Sequence, residues 1–141
     1  MKCSKSLEKV TIMPLSEAPI LSHKHYNAPS VFTPESLLRE ARRQKNLPVT
    51  AVPNICVLDP DGDIVRHLRA AGCSVHDAAW ACYHTALDRF QFDGHEYGIV
   101  GCAVGSAFAV LIAEELFASG CQLLASRHPA RFVLCGRRRT S

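Results

Sequence analysis

The most constraining feature of this chain is GIVGCAVGSAFAVLIAEEL, residues 98–116, in which no charge appears before Glu114. From Tyr97 to Ala113 the uncharged run is 17 residues long, just short of the roughly 18 expected of a membrane-spanning helix. Glycines at 98, 101 and 105 interrupt it, and Glu114 and Glu115 follow at once. A buried strand, a turn of small residues and a buried helix account for this pattern better than a span does. No membrane association is expected.

The rest of the chain supplies partners for such a unit. Thr33-Pro34-Glu35 offers an N-cap residue, a proline for the first helical position and an acid for the first turn. A helix is expected to follow, with Leu37, Leu38 and Ala41 on one face and Arg39, Arg42 and Arg43 largely on the other. Residues 54–58 (NICVL) read as a short buried strand and DPDGD as a turn. The segment 63–72 reads as an amphipathic helix with Ile64, Leu68 and Ala71 inward and Gly72 as its stop. Strands are expected at 73–75 and 87–92, the second running into the hairpin signal Asp93-Gly94 and a return strand at 96–103. Gly105-Ser106 opens a helix closed by Gly120, and 121–125 is a last short strand. The order predicts an α/β domain with a mixed sheet over residues 31–125. Residues 1–30, broken by Pro14, Pro19 and Pro29, are expected to form an extended arm.

Charge and cysteines narrow the chemistry. Residues 1–125 hold 11 basic side chains against 13 acidic, while 126–141 add five arginines and no acid, which carries the chain to +3. The basic balance thus belongs to a tail, and the body has no nucleic-acid footprint. Seven cysteines include no CxxC pair, so free buried thiols in a reducing cytoplasm are expected, with no metal and no disulfide framework. Asp59, Asp61 and Asp63 alternate as in a calcium loop, but glycine falls fourth and Ala70 stands where an EF-hand needs glutamate. A helix-capping turn is the expectation there, with an anion seat at the helix start as the alternative.

From Phe92 to Leu124, FDGHEYGIVGCAVGSAFAVLIAEELFASGCQLL resembles the hairpin, strand, small-residue turn, helix and strand of nucleoside phosphorylases of the uridine-phosphorylase type. Asp93-Gly94, Gly105, Glu114-Glu115-Leu116 and Gly120 fall in register, and VLDPDGDIVRHLRAAG is similar to that family's first strand, phosphate turn and helix. The resemblance covers about residues 54–125. It implies a fragment of the family's three-layer α/β/α sandwich, phosphorolysis of a nucleoside (a pyrimidine favoured) to base and ribose 1-phosphate, and a homo-oligomer. It also implies inorganic phosphate as co-substrate without other cofactor, and Gly62, Gly105 and Ser106 at the phosphate and ribose end. The catalytic group is not named by it. Several positions depart from the pattern. Pro60 stands in the place of a glycine, Ile64 in that of an arginine, and Cys102-Ala103 where Thr-Gly is usual.

At Ser126 the resemblance stops, and SRHPARFVLCGRRRTS reads as a basic irregular tail, of the composition an out-of-frame or prematurely ended product would have. Such a chain is expected to be inactive alone and poorly soluble, with its last strand an unpaired edge. The alternatives are a non-catalytic subunit-interface or binding module, a hydrolytic nucleosidase relative that needs no phosphate, and an unrelated crossover domain. The last would be favoured by a Gly105 turn occluded by side chains.

Overall fold

Among the described residues nine elements follow in the order α1 (Pro34–Lys45), β1 (Ile55–Asp59), α2 (Asp63–Ala70), β2 (Ser74–His76), β3 (Leu87–Phe92), β4 (His95–Gly101), α3 (Ser106–Ala118), β5 (Leu123–His128) and β6 (Arg131–Gly136). The computed structural model describes residues 27–30, 32–128 and 131–136. Two units divide the chain, Met1–Val31 and Phe32–Ser141, and every element belongs to the second. Of the arm expected over residues 1–30, all but 27–30 lies outside the described residues.

The strands form one mixed sheet in the order β2-β3-β4-β1-β5-β6. β1 is central and runs parallel to β4 on one side and β5 on the other, while β3, β2 and β6 join antiparallel. The apolar run of residues 97–113 is the end of β4, a turn and the first half of α3. No helix among the described residues is long and apolar enough to cross a membrane. Burial explains the run's lack of charge only in part: Val100 and Ile112 are sealed in one cluster with Leu116, Cys56, Leu58, Leu87 and Leu124, whereas Val104 and Val110 are 69% and 56% exposed. α1 adds a smaller cluster, in which Leu38 and Ala41 meet Ala81, Leu47 and Ala118.

The helices take opposite faces of the sheet. Val100 clusters with Ile112 and Leu116 of α3, whereas a Cβ on the next residue, Gly101, would lie 3.0 Å from Val65 of α2. Alternate residues of a strand point to opposite faces, so α2 and α3 lie on opposite sides. Asp93 and Gly94 both have positive φ, at 49° and 75°, which the tight type I′ hairpin between β3 and β4 requires. Thr33 caps α1 as expected, its hydroxyl accepting the Ser36 N–H at 3.2 Å.

Three expectations need correction. In α2 the buried side chain is Val65, which packs against Gly101 of β4; Ile64 and Leu68 are half-buried and Ala71, at the helix end, is exposed. Residues 126–136 are not an irregular tail: β5 runs on to His128 and β6 pairs with it from Leu123↔Gly136 to His128↔Arg131. Among the described residues the sheet edge on this side is therefore β6, not the strand expected at 121–125. Backbone pairing decided this, and it needs no side-chain periodicity.

β3 also holds a carboxylate the alternation pattern conceals. Asp88 is 1% exposed, and its two oxygens accept from Arg69 at 2.6 and 2.8 Å, with Ser74 Oγ donating at 3.2 Å. The Arg69 guanidinium holds the Asp88 carboxyl below its ordinary value, against the opposing effect of burial. The folded state thus binds this proton less tightly than the unfolded chain. Its stabilisation is whole at neutral pH and drains away as pH falls through 3.8 towards the lower folded value. Arg69→Met should cost about 1–2 kcal/mol at pH 7, Arg69 being half-exposed, and should flatten that acid limb. Urea titrations of both chains between neutral pH and pH 3 check this.

Candidate functional site

The carboxyl ends of β1 and β4 lie side by side, and the chain leaves them in opposite directions. After β1 it passes through α2 towards β2 and β3; after β4 it passes through α3, across β1, to β5. In open α/β sheets ligands bind at such a switch point, because the diverging connections leave a crevice between them.

Asp59, the last residue of β1, organises the crevice. Its carboxylate is buried and accepts the backbone N–H groups of Ile64 and Val65 at 2.8 and 3.1 Å. Its own carbonyl accepts from Gly62 N at 3.1 Å and Cys102 N at 2.9 Å. The helix-capping reading of DPDGD is thus the one the structure has, and the alternative anion seat at the start of α2 is filled by the chain's own carboxylate. α3 differs. It begins at Gly105 with no side-chain cap, so its first-turn N–H groups remain available.

Two of the clefts that flank this arrangement hold the residues expected at the site. One, of about 230 Å3, is lined by Gly62, Arg66, Arg69, His84, Thr85 and Cys102. The other, of about 330 Å3, is lined by Pro60, Asp61, Ala103, Val104, Gly105 and Ser106. Of the three residues expected at the phosphate and ribose end, Gly62 lies in the first cleft and Gly105 and Ser106 in the second. All three sit at the ends of β1 and β4, but they do not share one cavity. A Cβ at Gly105 would meet nothing within 4 Å, so the turn is open rather than occluded.

Arg66, Arg69 and His84 are additions that sequence reasoning did not select. The arginine expected near the first turn is replaced by Ile64, yet Arg66, two residues on, brings Nη1 to 3.1 Å from the Cβ position of Gly62. Arg66 also ion-pairs with Asp63 at the surface. The helical spacing of 66 and 69 was the available signal, since residues three apart share a helix face. His84 had none: it lies in a segment without regular structure and packs edge-on to Phe108, with ring centroids 6.3 Å apart.

Behind His84 lies a buried polar group. Glu115 is 2% exposed, and its Oε2 has no hydrogen-bond partner among the described residues. Burial pushes its carboxyl up, against a hydrogen bond from the Cys82 thiol and the nearby charges of His84 and Lys45. Burial likewise pushes Cys82 up. Lys45 Nζ is tied to the carbonyls of Ala81 and Cys82 at 3.1 and 2.9 Å, which fixes the start of the segment that carries His84.

The cysteines divide evenly by setting. Six are free among the described residues: Cys56, Cys82 and Cys121 are buried, whereas Cys73, Cys102 and Cys135 are exposed, contrary to the expectation of buried thiols.

The chain matches no protein-family model, no curated protein and no solved structure. The functional reading therefore rests on the site itself.

Gly62 tests the packing at its centre. Its φ is +73°, and a Cβ there would lie 2.6 Å from Cys102 Sγ, so Gly62→Ala combines a left-handed backbone with a clash. A loss of about 1–3 kcal/mol is expected from the urea midpoint. Cys102→Ala should recover part of it by removing the sulfur.

Proposed function

We propose that residues 32–136 are built on the three-layer sandwich of uridine-phosphorylase-type nucleoside phosphorylases, and that the two clefts are the phosphate and ribose ends of a nucleoside site. The observation that carries this reading is the convergence of Gly62, Gly105 and Ser106, chosen on the resemblance alone, at the switch point between β1 and β4.

In this reading inorganic phosphate sits in the Gly62 cleft beside the Arg66 guanidinium, which has planar donors suited to its oxygens. The uncapped start of α3 receives ribose hydroxyls through backbone N–H groups at Ser106 and the residues after it. Turnover requires the two ligands to meet over the ends of β1 and β4, where a phosphate oxygen attacks the anomeric carbon as the bond to the base breaks and the base leaves with the bonding electrons. Orientation of phosphate and sugar supplies the main acceleration. The co-substrate is inorganic phosphate, no other cofactor enters, and the role is nucleoside salvage in the cytoplasm.

The chain by itself binds rather than turns over. Both clefts are open, so water is not excluded from the reacting atoms, and Asp59 withdraws the α2 N–H groups from phosphate. Calorimetry should find inorganic phosphate binding that weakens about tenfold in Arg66→Ala, the loss of one charge-assisted contact. Uridine with phosphate should release no uracil. Unchanged phosphate binding in Arg66→Ala would sink the site assignment, and phosphate-dependent uracil release would overturn the inactivity. Release without phosphate would favour a hydrolytic nucleosidase.

A second reading, a subunit-interface module, draws on exposed apolar side chains in three strands of the sheet. Val75, Phe92 and Leu134 are 72%, 68% and 67% exposed, and β2 and β6 are both open edges. Size-exclusion chromatography with light scattering separates the two. A monomer across a tenfold concentration range would remove the interface reading.

A further inference from the structure

Residues 77–86, between β2 and β3, form a loop closed at its neck, where Asp77 N–H donates to the Leu87 carbonyl at 2.8 Å. Surface loops of this kind are packed by their own side chains. Here Trp80, Ala81 and Cys82 are buried, and Trp80 Nε1 donates to Thr85 Oγ1 at 3.0 Å. α1 holds the loop from one side. Lys45 Nζ donates to the carbonyls of Ala81 and Cys82 and lies 4.7 Å from the Tyr83 ring centroid, while the Tyr83 hydroxyl donates to Gln44 Oε1 at 2.7 Å. α3 meets the loop where Phe108 packs edge-on to His84. The end of the loop, His84, Thr85 and Ala86, lines the Gly62 cleft.

Glu115 of α3 is the acid at this contact. α1 faces it with the Lys45 ammonium, and the loop faces it with the Cys82 thiol and the His84 imidazole. The sheet side chains clustered with Cys82, among them Leu58, Leu87 and Val100, carry no charge. Among the described residues Glu115 makes no ion pair, and Lys45 binds the loop carbonyls instead. A carboxylate 2% exposed, with one oxygen unpartnered, carries a desolvation cost that the neutral acid does not.

We infer that residues 77–86 are a proton-operated strap: neutral Glu115 lets the loop dock on α3, and ionised Glu115 loosens it. Burial raises the Glu115 carboxyl above 4.5, so the docked loop binds the proton more tightly than a loosened, hydrated one does. Docking is therefore complete below pH 4.5 and is lost as pH rises through the higher docked value. On ionising, the carboxylate draws in water and competes with the Ala81 and Cys82 carbonyls for Lys45, since a charged acceptor makes the stronger hydrogen bond. The end of the strap walls the Gly62 cleft, so loosening opens it. That consequence rests on the phosphate reading; the strap itself does not.

Trp80 is the only tryptophan of the sequence and reports the strap directly. Its quenching by acrylamide is read on the whole chain between pH 4 and pH 8. Quenching should rise severalfold with pH in the native chain and stay flat in Glu115→Gln, whose amide cannot ionise. His84→Gln should keep the rise, which a change driven by the imidazole would not. Glu115→Met repeats the test if the amide variant fails to fold, since it removes the charge together with the hydrogen bonds. Three results would each overturn the strap: a native Trp80 that ignores pH, a rise that survives loss of the Glu115 carboxyl, or a rise that vanishes with His84. Calorimetry with inorganic phosphate at pH 8 reads the cleft separately, and Glu115→Gln should bind severalfold more tightly than the native chain. Equal binding would break the link between strap and cleft, and no binding by either chain would remove the phosphate reading; the strap then stands on Trp80 alone.

Discussion

The buried carboxylate of Asp59 is the interaction on which the rest of the structure depends. It ends the central strand, caps α2 through two N–H groups, and through its carbonyl binds Gly62 and Cys102. A carboxylate at a helix N-terminus is favoured by the helix dipole and by the otherwise unpaired N–H groups there. Here the cap also fixes the spacing between the ends of β1 and β4, and so sets the width of the crevice. One side chain stabilises the helix and decides what that helix can still bind.

That dual role makes the two helix starts unequal. α2 is satisfied internally, so an anion near Gly62 depends on side-chain donors such as Arg66. α3 begins at Gly105 without a side-chain cap, and its N–H groups are open. Cys102 Sγ and Arg66 Nη1 both crowd the space a side chain on Gly62 would fill, at 2.6 and 3.1 Å from its Cβ position.

Away from the crevice, the sheet is covered unevenly. α3 buries the cluster around Val100 and Leu116 and α1 packs against α3, while among the described residues the eight-residue α2 is the helix on the other face. That face includes the stacked Phe90–Tyr97 pair, with ring centroids 5.4 Å apart, and the buried Asp88 held by Arg69. An ion pair buried on one side only is specific about which helix it accepts. It anchors α2 where apolar contact is thin.

The sequence by itself determined the element order from α1 to β5, the hairpin and the α1 cap. Each is written in local chemistry: Asp93-Gly94 tolerates positive φ, Thr33 offers a hydroxyl, and an uncharged run with glycines must be strand, turn and buried helix. The turns at Gly62 and at Gly105-Ser106 were also legible, because turns between strand and helix are marked by small residues; their assignment to a phosphate and ribose end came from the resemblance. Tertiary structure alone decided that Gly62 and Gly105 open into separate clefts, since that depends on which face each connection takes. It decided that β6 extends the sheet, because backbone pairing leaves no trace in side-chain alternation. It decided too that Asp59 turns inward to fill an anion seat, and that Arg66, His84 and Cys102 converge. Such convergence arises from contacts between residues distant in sequence, which no local pattern encodes.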